Sequence, residues 1–182
     1  MSLLNTLNLL FASGGLVLAV VTIGLYVDYF YNQSKFFDRW LARFAWSIVM
    51  VTTIGSVAIT LLYSEYFGFV PCSLCWLQRI AMYPQALLSV MAFRMKERVF
   101  FPLYSIALSV FGFVVAVYHY IYQMQPKEEL ANGVMPCLAD GSADCATKVI
   151  DMFGFVTFPL LSAITFAFLI VVYLNMRRGG RE

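Results

Sequence analysis

The stretch Phe101–Tyr122, FPLYSIALSVFGFVVAVYHYIY, contains no Asp, Glu, Lys or Arg. As a helix rising ~1.5 Å per residue it is long enough to cross the ~30 Å hydrocarbon core of a bilayer. Working outward from it, four more apolar stretches of similar length appear: Leu9–Val27, Leu41–Tyr63, Leu74–Phe93 and Phe155–Leu174. The 182-residue chain is 62% hydrophobic and 12% charged, with a mean hydropathy of +0.80. Average soluble domains are about 45–50% apolar and about 25% charged, so lipid has to solvate this surface. The expectation is an all-α membrane protein with five spans.

The first span has a competing reading as a signal peptide. Met1–Asn8 carries no Lys or Arg, whereas a signal peptide has a basic leading region, and the apolar run is long for one. A retained transmembrane helix is expected. The third span is the least apolar, because it holds Gln78, Arg79, Pro84 and Gln85. Polar residues inside a span are costly unless they serve a site, so function is sought there first.

Net charge is +2 and says little; its distribution says more. Lys35, Arg39 and Arg43 flank the first connection, Arg94, Lys96 and Arg98 fill the third, and Arg177, Arg178 and Arg181 form the tail. The other two connections hold only Lys127 and Lys148. These sets alternate sides across five spans, so the positive-inside rule places the N-terminus outside and the C-terminus in the cytoplasm. The outer segments are then 64–73 and about 123–154. The second is acidic, with turn-formers at Asn132-Gly133 and Asp140-Gly141, and reads as a loop with a short helix over Ser142–Met152. No repeat, low-complexity tract or separate soluble domain is present, and no nucleic-acid partner is expected.

All four cysteines fall on the outer side or its edge: Cys72 and Cys75 begin the third span, and Cys137 and Cys145 lie in the long outer loop. Outside the cytoplasm disulfides form and persist, and two pairs are the arithmetic of a disulfide system. A Cys-x-x-Cys at a helix start places its sulfurs together over one turn, where free N–H groups and the helix dipole favour a thiolate. Such a pair closes a small reducible disulfide, so redox poise is its expected purpose. Zinc is the chemical alternative. Structural zinc sites use two tight knuckles in a compact unit, and the spacing here differs, so no metal is expected. Two purely structural disulfides remain open.

Arg79 lies one turn below Cys75 on the same face. Its guanidinium could stabilise the Cys75 thiolate or hydrogen-bond a quinone oxygen, or it could snorkel to the headgroups. His119, the single histidine, sits near the outer end of the fourth span. It could move the protons that thiol-to-quinone transfer requires, or serve packing alone. Trp76 and Tyr83 could line the same pocket, although aromatic residues are common at membrane interfaces.

Pro71-Cys72-Ser73-Leu74-Cys75-Trp76-Leu77-Gln78-Arg79 resembles the Pro-Cys-x-x-Cys-x-x-x-Arg signature of the disulfide bond formation protein B (DsbB) family. Tyr118-His119, Pro136-Cys137, Cys145 and Gly154-Phe155-Val156-Thr157-Phe158-Pro159 resemble that family in the same order, over about Leu41–Leu174. The resemblance implies a four-helix transmembrane bundle over 41–176, an additional N-terminal helix and cytoplasmic loop over 1–40, and a cytoplasmic tail over 177–182. It also implies the inner (plasma) membrane of a bacterium, with all four cysteines extracytoplasmic.

The implied activity is quinone-dependent oxidation of a DsbA-like thioredoxin-fold protein, supporting disulfide formation in exported proteins. The redox-active disulfides would be Cys72–Cys75 and Cys137–Cys145. Carried over by position, Cys137 accepts electrons from the partner, Cys145 passes the exchange to Cys72, and Cys75 faces the quinone. Arg79 stands beside Cys75, and His119 is a second quinone-site residue. The acceptor is ubiquinone or menaquinone. The first span has no counterpart in the four-helix pattern, and the loop cysteines are closer together than in enterobacterial members. A vitamin K epoxide reductase-like protein is the enzymatic alternative, but there the loop cysteines precede the membrane Cys-x-x-Cys. A transmembrane electron carrier would need cysteines reachable from the cytoplasm. A non-enzymatic membrane protein with two structural disulfides is the third reading.

Overall fold

A computed structural model describes residues 3–31, 44–97, 99–125 and 145–179. The described residues form an all-α membrane protein. Helix α1 covers Leu3–Tyr31 and α2 covers Ala45–Leu61, continued by one π-helical turn at Leu62–Tyr66. Helix α3 covers Ser73–Met95, α4 Phe100–Met124 and α5 Phe158–Gly179. Helices α1, α4, α5 and α2 with its π turn are long and apolar enough to cross a membrane. Helix α3 has the length, 23 residues, but its polar side chains lower its hydropathy. Those side chains turn out to be spent on contacts with α2, α4 and α5.

Helices α2 to α5 form an up-down bundle, and side-chain pairs fix the direction of each neighbour. Thr53 meets Ser89 at 3.4 Å and Thr60 meets Tyr83 at 3.1 Å, so α2 and α3 are antiparallel. Gln78 meets His119 and Gln85 meets Ser109, so α4 runs against α3. Phe101 packs edge-on against Tyr173, and Gly112 lies under the Phe166 ring, so α5 runs against α4. A Cβ at Gly112 would lie 2.3 Å from Phe166 Cζ; the missing side chain is what permits this approach.

Mid-bundle, Ser109 and Tyr173 both donate to the buried Gln85 Oε1, at 3.0 and 3.1 Å. The Gln85 amide nitrogen returns to the Ala81 carbonyl at 2.9 Å. Burying an amide in this setting is costly without partners, and here three helices supply them. Around this layer Val49, Ala81, Phe166, Leu169 and Val172 form the apolar core.

Helix α1 stands outside the four-helix ring, parallel to α5. Gly15 faces Leu161, the Tyr26 hydroxyl donates to the Ala167 carbonyl, and Arg178 lies over the Tyr29 ring at 4.3 Å. At its other end the Tyr63 hydroxyl of the π turn donates to Asn8. Tyr63 is itself ringed by Phe11, Phe67, Phe69 and Phe158.

The segment between α4 and α5 departs from expectation. A short helix was expected over Ser142–Met152, but Cys145–Met152 is turn and extended chain, ending in an isolated bridge between Met152 and Val156; residues 142–144 lie outside the described residues. The Cys145 and Thr147 carbonyls, which a helix would use internally, accept instead from the Gln123 side chain. Tertiary hydrogen bonds have taken the place of local ones.

A dithiol and a loop cysteine at one end of the bundle

Cys72 is the N-cap of α3, in extended conformation with φ −73° and ψ 172°. Its sulfur accepts the Cys75 backbone N–H at 3.4 Å, the role an oxygen usually plays at an N-cap. Cys72 and Cys75 are free thiols with sulfurs 2.9 Å apart. Cys72, ahead of the first helical turn, is held well below the ordinary thiol range, at about 4. The Cys75 thiol hydrogen-bonded to it is the largest cause; burial opposes, and His119 and the Cys75 N–H add to the lowering. One proton is thus shared between the two sulfurs, with the negative charge favoured on Cys72.

His119 Nε2 lies 3.9 Å from the Cys72 sulfur and 3.1 Å from the Cys145 carbonyl oxygen. Its Nδ1 lies 3.1 Å from the Gln78 amide nitrogen. With Gln78 donating to Nδ1, the ring carries its proton on Nε2 and donates it toward Cys145 and Cys72. Gln123, one turn beyond His119, donates to the Cys145 and Thr147 carbonyls at 3.1 and 3.3 Å. These two α4 side chains hold the loop against the start of α3.

Cys145 is disulfide-bonded and 1% exposed. Its sulfur, the Cys72 sulfur and a His119 ring nitrogen all lie within 4.8 Å of one another. The expected loop partner Cys137 lies outside the described residues. A free dithiol and a disulfide-bonded sulfur thus meet in one buried cluster, in position for thiol–disulfide exchange.

Arg79 also has partners on the α2 side of α3. Its guanidinium donates to the Thr60 carbonyl at 3.0 Å and lies 5.2 Å from the centroid of the half-exposed Trp76 ring. Tyr83, through Thr60, belongs to the same α2–α3 seam. His119 sits with Cys72 and Cys145, while Arg79 sits with Trp76 and Thr60. Gln78 and Gln123 were not anticipated as site residues. The i+4 spacing of Gln123 from His119 was the available signal, since it puts both on one face of α4.

An all-helical membrane protein with a free dithiol at a helix start beside a disulfide-bonded loop cysteine belongs to the class of membrane thiol–disulfide oxidoreductases. The family of disulfide bond formation protein DsbB matches residues 42–176, and the chain belongs to that family. It is 33% identical over 139 residues to disulfide bond formation protein C of Bacillus subtilis, covering 76% of this chain and 92% of that one. It is 32% identical over 136 residues to a probable disulfide formation protein of Oceanobacillus iheyensis, covering 74% and 90%. A probable disulfide formation protein C of Bacillus cereus is 37% identical over 123 residues, covering 67% and 81%. No solved structure matches. The chain is accordingly a bacterial membrane protein and a DsbB-like thiol oxidase.

Proposed function

We propose that this protein takes electrons from a reduced DsbA-like thioredoxin-fold protein outside the cytoplasm and delivers them to a membrane quinone. The observation that carries the reading is the Cys72–Cys145 juxtaposition, with Cys72 and Cys75 as thiols and Cys145 in a disulfide. This is the arrangement expected after electrons have reached the helix pair and before they leave it.

The steps balance as follows. A partner thiolate attacks Cys137 of a Cys137–Cys145 disulfide, forming a mixed disulfide and releasing the Cys145 thiolate. The partner's second thiol resolves that mixed disulfide and frees Cys137. Cys145 attacks Cys72 of an oxidised Cys72–Cys75 pair, and Cys75 leaves as thiolate. Cys137 then attacks Cys145, restoring the loop disulfide and leaving Cys72 and Cys75 with two electrons. Stabilising the leaving thiolates lowers each exchange barrier, which is the role assigned to His119 beside Cys72.

The side chains at the α2–α3 seam suit an electron acceptor of the quinone type. Arg79 offers guanidinium donors, Trp76 and Tyr83 offer aromatic walls, and Cys75 lies one turn away on the same helix. Arg79, Trp76 and Tyr83 would hold a quinone there, whose chemistry would be to take up the two electrons and two protons of the dithiol. Arg79 would orient its oxygen, and the bilayer would supply and remove it. The basic ends of α3 and α5 face the cytoplasm, and the cysteine cluster faces outward, in line with the positive-inside rule.

The test is turnover: purified protein, a reduced thioredoxin-fold substrate and a soluble quinone, with quinone absorbance as the readout. Reduction that disappears in Cys75→Ser supports the reading. No reduction, or reduction indifferent to that substitution, contradicts it. Replacing Arg79 should raise the quinone concentration needed for half-maximal rate.

A further inference from the structure

We propose that full reduction of the enzyme turns the Cys72–His119–Cys145 cluster into a binding site for a borderline-soft metal ion of the zinc(II) class. The three ligand atoms come from three separate segments and lie within 4.8 Å of one another, with Cys72 Sγ to His119 Nε2 at 3.9 Å. Tetrahedral zinc with Zn–S of about 2.3 Å and Zn–N of about 2.0 Å needs ligand atoms about 3.5–3.8 Å apart. The cluster is within about 1 Å of that spacing, a distance side-chain rotation can close. Cys72, His119 and Cys145 are 4%, 2% and 1% exposed, so a bound ion would be shielded from competing water.

The redox state gates the site. While Cys145 is disulfide-bonded it supplies no thiolate, and only Cys72 and His119 of the three remain as ligands. Reduction breaks that S–S bond and yields two thiols. An external dithiol supplies two electrons and two protons and becomes a disulfide, whereas a phosphine supplies the electrons and water the two protons and the oxygen of the phosphine oxide. The metal then displaces the proton of each coordinating thiol. The Gln78 amide, 3.1 Å from Nδ1, suits both states. With its nitrogen toward the ring it keeps Nε2 protonated. Turned by 180° it accepts Nδ1–H and frees Nε2 to coordinate, the outer support that metal-bound histidines usually have. Gln123 still holds the Cys145 carbonyl when His119 lets it go. The consequence is a trap: an enzyme starved of its electron acceptor, with both pairs reduced, would be locked by the metal until it is removed.

The inference rests on the proposed redox reading only in requiring that the Cys145 disulfide be reducible. The experiment uses the detergent-solubilised full chain, reduced with a phosphine or left with its loop disulfide intact. Zinc(II) affinity is measured by competition with a chromophoric chelator, and cadmium(II) by its thiolate charge-transfer absorption. We expect one zinc per reduced chain, bound more than about 100-fold tighter than by the disulfide form, beyond the 10–100-fold typical of losing an outer-shell partner. His119→Ala and Cys145→Ser should each remove that difference. Cys137→Ser should bind zinc without reduction of the loop, because it leaves Cys145 unpaired. Equal affinity in both redox states, no binding by the reduced chain, or indifference to both ligand substitutions would overturn the proposal. The redox-state comparison needs no variant, so it survives a substitution that fails to fold. Separate turnover measurements distinguish the two readings: turnover without metal capture sinks only this inference, and metal capture without turnover sinks only the oxidase reading.

Discussion

One shared proton decides which sulfur of the Cys72–Cys75 pair carries the thiolate. The Cys75 thiol donates to Cys72, and His119 stands on the other side, so Cys72 is lowered to about 4. The sign follows directly: a lowered value means thiolate persists above it and is lost only as pH falls through it. Alkylation of Cys72 by iodoacetamide, corrected for the reagent, should therefore be flat from pH 8 down to about pH 5.5, whereas an ordinary thiol near 8.5 loses about tenfold per unit. A steady decline across that range would contradict the assignment. Gln123 acts by position: with Leu in its place the Cys145 and Thr147 carbonyls lose their donor. A loss of about 1–1.5 kcal/mol in placing the loop slows exchange roughly tenfold. Rapid-quench thiol trapping of the loop-to-helix step, with partner affinity unchanged, would separate this from general unfolding.

The helices themselves were legible in the sequence, because an uncharged run like Phe101–Tyr122 has few other ways to be solvated. The span starts were less so. Phe155 belongs to the apolar run of the last span, yet α5 begins at Phe158, since Val156 is taken by its bridge with Met152. Helix α3 was legible as unusual but not for its reason: Gln85 serves bundle packing, while Gln78 serves His119. Composition cannot tell these two uses apart. Helices α4 and α5 approach closely at Gly112, where any added side chain meets the Phe166 ring. Gly112→Val should cost about 1–3 kcal/mol through overpacking, measured by denaturation in mixed micelles. An unchanged midpoint would place α4 and α5 farther apart than described.

At the scale of the whole molecule, the chain combines a rigid bundle with one clustered end. Spacing and family resemblance point to the four cysteines and Arg79. They do not point to the meeting of Cys145, His119 and Cys72, because three segments far apart in sequence create it. The extra helix α1 is tied at both ends, through Asn8 to Tyr63 and through Tyr29 to Arg178. Its membership of the folded body is structural, although the family match begins only at residue 42. Orientation is tested with Arg178→Cys in a chain otherwise free of cysteine: a membrane-impermeant maleimide should leave it unlabelled in intact cells and label it after lysis. Labelling in intact cells would invert the topology. The most direct test of the relay concerns the cysteines that meet. In Cys75→Ser combined with Cys137→Ser, mild oxidation with diamide should join Cys72 to Cys145 nearly quantitatively, read by mass spectrometry of the linked peptides. Two thiols that stay unlinked, or pair between chains instead, would contradict electron transfer from the loop to the helix through these two sulfurs.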